Sequence, residues 1–115
     1  MNIYTEMVNI YLLRCVEDGS VRYKIGLTKN DVQKRVKQLQ TGNSNPIDIL
    51  KVVKVDKYWN SIEKFLHKKY IGKHEKLEWF NLDIEDIASF EDDIQKIYVN
   101  LECLELNSSL KPTFK

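Results

Sequence analysis

The sequence predicts an α/β protein of the α+β class on three observations. Two β-prone stretches, Met7 to Val16 and Val21 to Leu27, flank an Asp-Gly pair, the favoured two-residue signal of a β-hairpin. A third β-prone stretch, Ile47 to Val55, lies between two segments with apolar residues at helical spacing. A further amphipathic segment follows Asp83. The first two strands are therefore expected to be antiparallel neighbours in a small sheet flanked by helices.

The composition is typical of one soluble domain. The chain has 115 residues, of which 43% are hydrophobic and 30% charged. The uncharged stretch Met7 to Leu13 is shorter than the roughly 20 residues of a membrane span, so no membrane association is expected. Cys15 and Cys103 show neither a disulfide nor a zinc-ligand spacing. We expect an intracellular protein, cytoplasmic or, in a eukaryote, nuclear.

The charge is distributed unevenly along the chain. Residues 1–76 carry 15 Lys and Arg against 8 Asp and Glu, whereas residues 77–115 carry 3 against 9. A basic body with an acidic C-terminal segment suggests that only the body faces a polyanion such as nucleic acid. Attraction between two oppositely charged halves of one domain explains the same pattern equally well.

The segment from Tyr23 to Gly42 is predicted to run from a strand into a basic helix. Asn30 is the expected N-cap, Gln33 completes a pair resembling a capping box, and Gly42 ends the helix. Arg35 lies about 60° from the centre of the apolar stripe, at its boundary. It is thus able to reach a cleft beside the sheet. The stripe consists of Val32, Val36 and Leu39.

A second helix is predicted from Lys57 to Ile71, capped by Asp56. Glu63 lies about 55° from the centre of its apolar stripe, again at the boundary. His67 follows one turn later and is expected to point further toward solvent. The alternative for Glu63 is an ordinary surface ion pair with a lysine.

The chain divides into a main domain over residues 1–82, an acidic helix over residues 83–106 and a tail over residues 107–115. Asp83 is the expected cap of this helix, whose apolar residues are spaced by three and four. The spacing indicates packing on the same domain, with a homodimer interface as the alternative. Because its exposed positions are mostly acidic, the helix is not expected to touch DNA.

Five short motifs occur in an order that resembles the GIY-YIG nuclease superfamily, in the phage and viral branch whose second motif is Lys-Ile-Gly. The resemblance covers residues 10 to 82. The motifs are Ile10-Tyr11, Lys24-Ile25-Gly26, the segment from Arg35 to Gly42, Glu63 with His67, and Glu78-Trp79-Phe80.

The resemblance implies a three-stranded antiparallel sheet flanked by helices and a DNA endonuclease that uses one divalent ion, Mg²⁺ or Mn²⁺. By the same resemblance, Tyr11 would activate water, Arg35 would stabilise the phosphate and Glu63 would hold the metal. A lone carboxylate suits Mg²⁺, which keeps several waters and takes further ligands from substrate phosphate.

Two departures from the superfamily pattern concern the first and second motifs. Asn9 stands where the superfamily has glycine, a change of minor expected consequence. Lys24 replaces the second tyrosine, and Tyr23 is displaced by one position, so strand alternation places it on the opposite face. Lys24 could bind phosphate, lower the pKa of Tyr11, or mark the loss of hydrolysis.

Supporting roles are assigned to Tyr23 and His67, the latter as a second ligand, a proton carrier or a hydrogen-bonded structural residue. Lys29, Lys64 and Lys68 are the candidate nucleic-acid contacts, with a solvated helix face as the alternative. The leading hypothesis is a metal-dependent DNA endonuclease. The alternatives are an inactive nucleic-acid-binding module and a protein-interaction or dimerisation module.

Overall fold

The computed structural model describes residues 6–76 and 79–110, with the side chains of residues 75, 76 and 108–110 left out. Glu78 of the last sequence motif and residues 111–115 of the predicted tail lie outside the described residues.

The chain forms strands and helices in the order that the sequence predicts, with extra short elements near the C-terminus. They are β1 (Val8–Glu17), β2 (Ser20–Thr28), α1 (Val32–Gln40), β3 (Ile47–Val55), α2 (Trp59–Lys69), a turn of 3-10 helix (Ile71–Lys73), β4 (His74–Lys76), β5 (Trp79–Phe80), α3 (Ile84–Ala88) and α4 (Phe90–Leu110). The α+β class is confirmed.

The sheet has five strands in the order β3-β1-β2-β5-β4, and all neighbours are antiparallel. The prediction of three strands is therefore wrong by two. β4 and β5 are three and two residues long, too short for an alternating pattern to be recognised. β5 pairs with β2 at Tyr23 and Lys24, so Trp79 and Phe80 join the sheet directly.

Both faces of the sheet are covered. Ile10 and Leu12 of β1 are fully buried on the face that packs against α2 and α4. Tyr11 and Leu13 are buried on the opposite face, against α1. The alternation of buried side chains along β1 confirms the predicted strand with apolar residues on both sides.

The start of α1 differs from the prediction by one residue. Asp31, not Asn30, is the N-cap, and its side chain accepts a hydrogen bond of 3.0 Å from the backbone N–H of Gln33. The backbone carbonyl of Asn30 instead accepts a hydrogen bond of 2.9 Å from the Asn9 side chain. Adjacent Asn and Asp are nearly equivalent as caps, so propensity alone does not choose between them.

The end of α1 is joined to β3 by the side chain of Gln40. Its Nε2 donates to the carbonyls of Asn43 and Asn45, at 2.7 Å each. Its Oε1 accepts from the N–H of Ile47 at 3.1 Å. Gly42, the expected helix stop, has a φ of +76° in the turn that follows. A single side chain therefore fixes the loop and the first residue of β3.

The second helix is shorter than predicted and lacks the expected cap. It begins at Trp59, after Tyr58 in the left-handed region at φ 66°, with no side-chain cap. Asp56 accepts a hydrogen bond of 2.6 Å from the Tyr98 hydroxyl. This tertiary contact with α4 takes the carboxylate away from the helix start.

The predicted C-terminal helix is divided in two near Ser89. Asp83 caps α3, where it forms a capping box with Asp86. Phe90 and Ile94 of α4 are buried in the core with α2 and the sheet. No helix of the described part of the chain has the length and apolar character needed to cross a membrane.

Acidic residues of α3 and α4 form ion pairs with lysines of the basic body. The pairs are Lys51–Glu91 at 3.1 Å, Lys57–Glu102 at 3.8 Å, Lys69–Asp93, and Lys73 with Asp83 and Asp86. Of the two explanations for the uneven charge, intramolecular attraction is therefore observed directly. A homodimer interface on α4 stays a prediction.

Candidate functional site

Tyr11 and Arg35 meet on the face of the sheet that α1 covers. The Tyr11 side chain is 1% exposed in the middle of β1, and its hydroxyl oxygen accepts a hydrogen bond of 3.4 Å from Nε of Arg35. Nη1 of Arg35 also donates to Oε1 of Gln38 at 3.2 Å. Arg35 is half-buried, in agreement with its predicted position at the edge of the apolar stripe.

Gly26 allows the Tyr11 ring to lie against β2. The two residues are cross-strand partners. A Cβ atom placed on Gly26 would be 2.4 Å from the Tyr11 hydroxyl oxygen and 2.6 Å from Cζ, far inside van der Waals contact. The glycine of the Lys-Ile-Gly motif is therefore required by a close approach of backbone and phenol.

Lys24 lies on the same face as Tyr11, one cross-strand pair further along. Its side chain is 6% exposed, and Nζ is 5.7 Å from the centroid of the Trp79 ring, a cation–π distance. Lys24 pairs with Leu13 and Tyr11 pairs with Gly26, so Lys24 and Tyr11 are diagonal neighbours, for which a separation of about 7–8 Å is typical. Tyr23 packs on the opposite face, as strand alternation predicts.

Glu63 and His67 lie on α2, which packs against the other face of the sheet. Glu63 is half-buried. Nε2 of His67 is 3.0 Å from the carbonyl oxygen of Ile25, and its ring meets the Phe80 ring edge-on at 5.0 Å. The expectation that His67 points toward solvent is therefore wrong. A carbonyl only accepts, so Nε2 carries the hydrogen and is not a metal ligand in this arrangement.

Within residues 6–76 and 79–110, no group of three or more His, Cys, Asp or Glu is arranged to hold a metal ion. Taken by itself, the Glu63 carboxylate supplies one hard oxygen donor group. This donor set fits Mg²⁺ or Mn²⁺ only where water and a substrate phosphate complete the coordination. Whether Glu63 converges with Tyr11 and Arg35 stays a prediction.

The candidate lysines occupy two different surfaces. Lys29 forms an ion pair with Glu6 at 3.4 Å and borders a groove of about 680 Å³ on the Tyr11 face, which Lys54 also lines. Lys64 and Lys68 are exposed on the side of α2 that faces away from the sheet. The predicted nucleic-acid contacts therefore do not form one continuous track.

Asn9 contributes more to the site than the minor consequence expected for its departure from the motif. Its Nδ2 holds the carbonyl of Asn30 immediately before α1, so β1 and the start of the Arg35 helix are connected by a side chain that glycine lacks. The signal was present, because Asn9 departs from the motif at a position adjacent to the Ile-Tyr pair.

A family model for the T5orf172 domain matches residues 9–98. The chain belongs to the T5orf172 domain family. The matched region of this T5orf172 domain includes the Tyr11–Arg35 pair, α2 and the first part of α4, so it extends beyond the span of the GIY-YIG resemblance. Neither a curated protein nor a solved structure matches the chain significantly.

Proposed function

We propose that this T5orf172 domain is a metal-dependent DNA endonuclease of the GIY-YIG type. The observation that carries the proposal is the hydrogen bond between Arg35 Nε and the Tyr11 hydroxyl, formed where Gly26 opens space on the sheet. It unites a phenol and a guanidinium from two separate elements. The association of the T5orf172 domain with nuclease-like proteins supports the same conclusion.

Arg35 is the phosphate-binding group in this proposal. A guanidinium presents five N–H donors in a planar fork suited to phosphate oxygens. Among the described residues, its hydrogen bonds are to Tyr11 and Gln38, so further donors remain for a substrate. The half-buried position limits competition from water and strengthens the contact.

Tyr11 is the group that activates the attacking water. Its oxygen lies beside the guanidinium, so a water held by this oxygen would lie close to a phosphate bound by Arg35. Because Tyr11 is 1% exposed, access of water to its oxygen needs a movement of the surrounding side chains, and in this proposal its hydrogen-bond partner Arg35 moves outward. A bound phosphate would draw the guanidinium in that direction.

Glu63 is the proposed metal-binding residue. Because α2 and α1 cover opposite faces of the sheet, its metal would have to meet a phosphate held by Arg35 at the edge of β2. β5 pairs with β2 at Tyr23 and Lys24, and His67 contacts the next carbonyl along, that of Ile25. Glu63 precedes His67 by one turn of α2, about 6 Å along the helix axis. A divalent ion there would neutralise charge on the non-bridging phosphate oxygens.

The burial of Lys24 favours one alternative, a nucleic-acid-binding module without turnover. With 6% exposure and Nζ beside the Trp79 ring, Lys24 is poorly placed to contact a phosphate directly. Two interpretations of Lys24 remain. It acts on Tyr11, or it marks the loss of a tyrosine that hydrolysis needs.

A plasmid-nicking assay with Mg²⁺ or Mn²⁺ tests the proposal. We expect the wild type to nick, Tyr11→Phe and Glu63→Gln to abolish nicking, and the exposed control Lys96→Gln on α4 to leave it unchanged. DNA binding, measured separately, should survive Tyr11→Phe and weaken in Arg35→Ala. Absence of nicking by folded wild type, or equal nicking by Glu63→Gln, would overturn the nuclease assignment.

A further inference from the structure

The outward side of α2 carries an exposed aromatic ring between two lysines. Phe65 is 49% exposed. Together with Ser61, Lys64 and Lys68 it lines a shallow pocket of about 250 Å³. The apolar stripe of α2 does not require Phe65, because Ile62 and Leu66 fill the core on the other side of the helix.

The acidic C-terminal helices do not neutralise these two lysines. Lys57 and Lys69, on either side of them in the sequence, form ion pairs with Glu102 and Asp93. Within the described part of the chain, neither Lys64 nor Lys68 has an ion-pair partner. This side of α2 is therefore a local positive surface with an aromatic centre.

We propose that Ser61, Lys64, Phe65 and Lys68 form a binding surface for single-stranded DNA, separate from the Tyr11–Arg35 pair. The inference rests on the proposed function in taking DNA as the ligand. Sites for unpaired strands combine cations that follow the backbone with aromatic rings on which bases stack. Lys64 and Lys68 are one helical turn apart, about 6 Å along the axis, and Phe65 lies beside both.

A single strand fits this surface better than a duplex. In a duplex the bases are already stacked and paired, so Phe65 would meet only the sugar–phosphate edge. In an unpaired strand, a base can cover the exposed ring while neighbouring phosphates contact the lysines. The surface lies on the same helix as Glu63, so a strand bound there would run beside the proposed metal-binding residue.

The test measures binding of two fluorescein-labelled 12-nucleotide strands in EDTA, one of thymidines and one with the same sugar–phosphate backbone but no bases. We expect Phe65→Leu to weaken thymidine binding about tenfold and to leave abasic binding unchanged. Lys64→Gln and Lys68→Gln should each reduce the slope of log affinity against log salt by about 0.7 for both strands. Ile84→Ala and Lys96→Gln are matched controls for an exposed apolar residue and an exposed lysine.

Equal binding of the thymidine strand by Phe65→Leu and wild type would overturn the stacking surface. An unchanged salt slope in both lysine variants would do the same. If Phe65→Leu forms a smaller oligomer than the wild type and still binds the strand, the surface joins two copies of the chain instead. Because no divalent metal is present, these results are independent of cleavage, and a failure to nick plasmid would leave them standing.

Discussion

Replacing Gly26 by alanine tests whether the close approach of β2 to Tyr11 organises the site. The new methyl carbon would lie 2.6 Å from Cζ of a phenol ring that is 1% exposed. Carbon atoms in contact are normally about 3.5–4.0 Å apart, so the overlap is roughly 1 Å. Overpacking of this kind typically costs about 1–3 kcal/mol, which we expect as a loss in the free energy of unfolding in urea.

Gly72→Ala is the matched control, because a Cβ atom at Gly72 meets nothing within 4 Å and its φ is not positive. A double-mutant cycle gives the sharper result. In a Tyr11→Ala background the ring is absent, so Gly26→Ala should cost much less than it does in the wild type. Additive losses in the cycle, or equal losses at Gly26 and Gly72, would refute the reasoning.

Three further predictions concern side chains whose hydrogen bonds connect different elements of the fold. Gln40→Ala should lower the free energy of unfolding by roughly 2 kcal/mol, because it leaves a loop and the start of β3 without three hydrogen bonds; no loss in urea unfolding would contradict this. His67→Ala should cost about 1–3 kcal/mol, yet the folded variant should nick DNA as wild type does if His67 is structural. A folded but inactive variant would restore its role as ligand or proton carrier. For Tyr98→Phe, the stability difference from wild type should be constant near neutral pH and shrink in both acid and alkali.

The expected loss of the Tyr98→Phe stability difference in acid and in alkali follows from the hydrogen bond between Tyr98 and Asp56. The Tyr98 hydroxyl lowers the pKa of Asp56 below its usual value of 3.8, so this stabilisation is present above about pH 4 and is lost as the pH falls through the lowered value. The Asp56 carboxylate raises the pKa of Tyr98 from 10.0 to about 12, so that stabilisation is present below pH 10 and is lost as the pH rises toward 12. A difference that stays constant from pH 3 to pH 12 would contradict the assignment.

Periodicity was sufficient to predict the long elements and the position of Arg35. The apolar run in β1 predicted a strand covered on both faces, and Ile10 to Leu13 are all buried. The boundary angle placed Arg35 where it contacts Tyr11. Each of these features depends on the residue pattern within a single element, so the sequence alone is sufficient to predict it.

Features that depend on contacts between distant elements were not predictable in this way. Asp56 has the right chemistry for a helix cap, but Tyr98, 42 residues away, takes its carboxylate. His67 has the spacing of a surface residue, yet the carbonyl of Ile25 and the Phe80 ring draw it inward. Local propensity cannot show which of several partners a polar side chain finds after folding.

The ion pairs between the acidic helices and the body also determine how a polyanion can approach. Part of the positive surface of the body is therefore neutralised by carboxylates of the same chain. The lysines with such partners are Lys51, Lys57, Lys69 and Lys73. The acidic helices act there as an internal competitor that repels phosphate from one flank. We therefore expect a polyanion to approach the flanks that carry Arg35, Lys64 and Lys68 more readily.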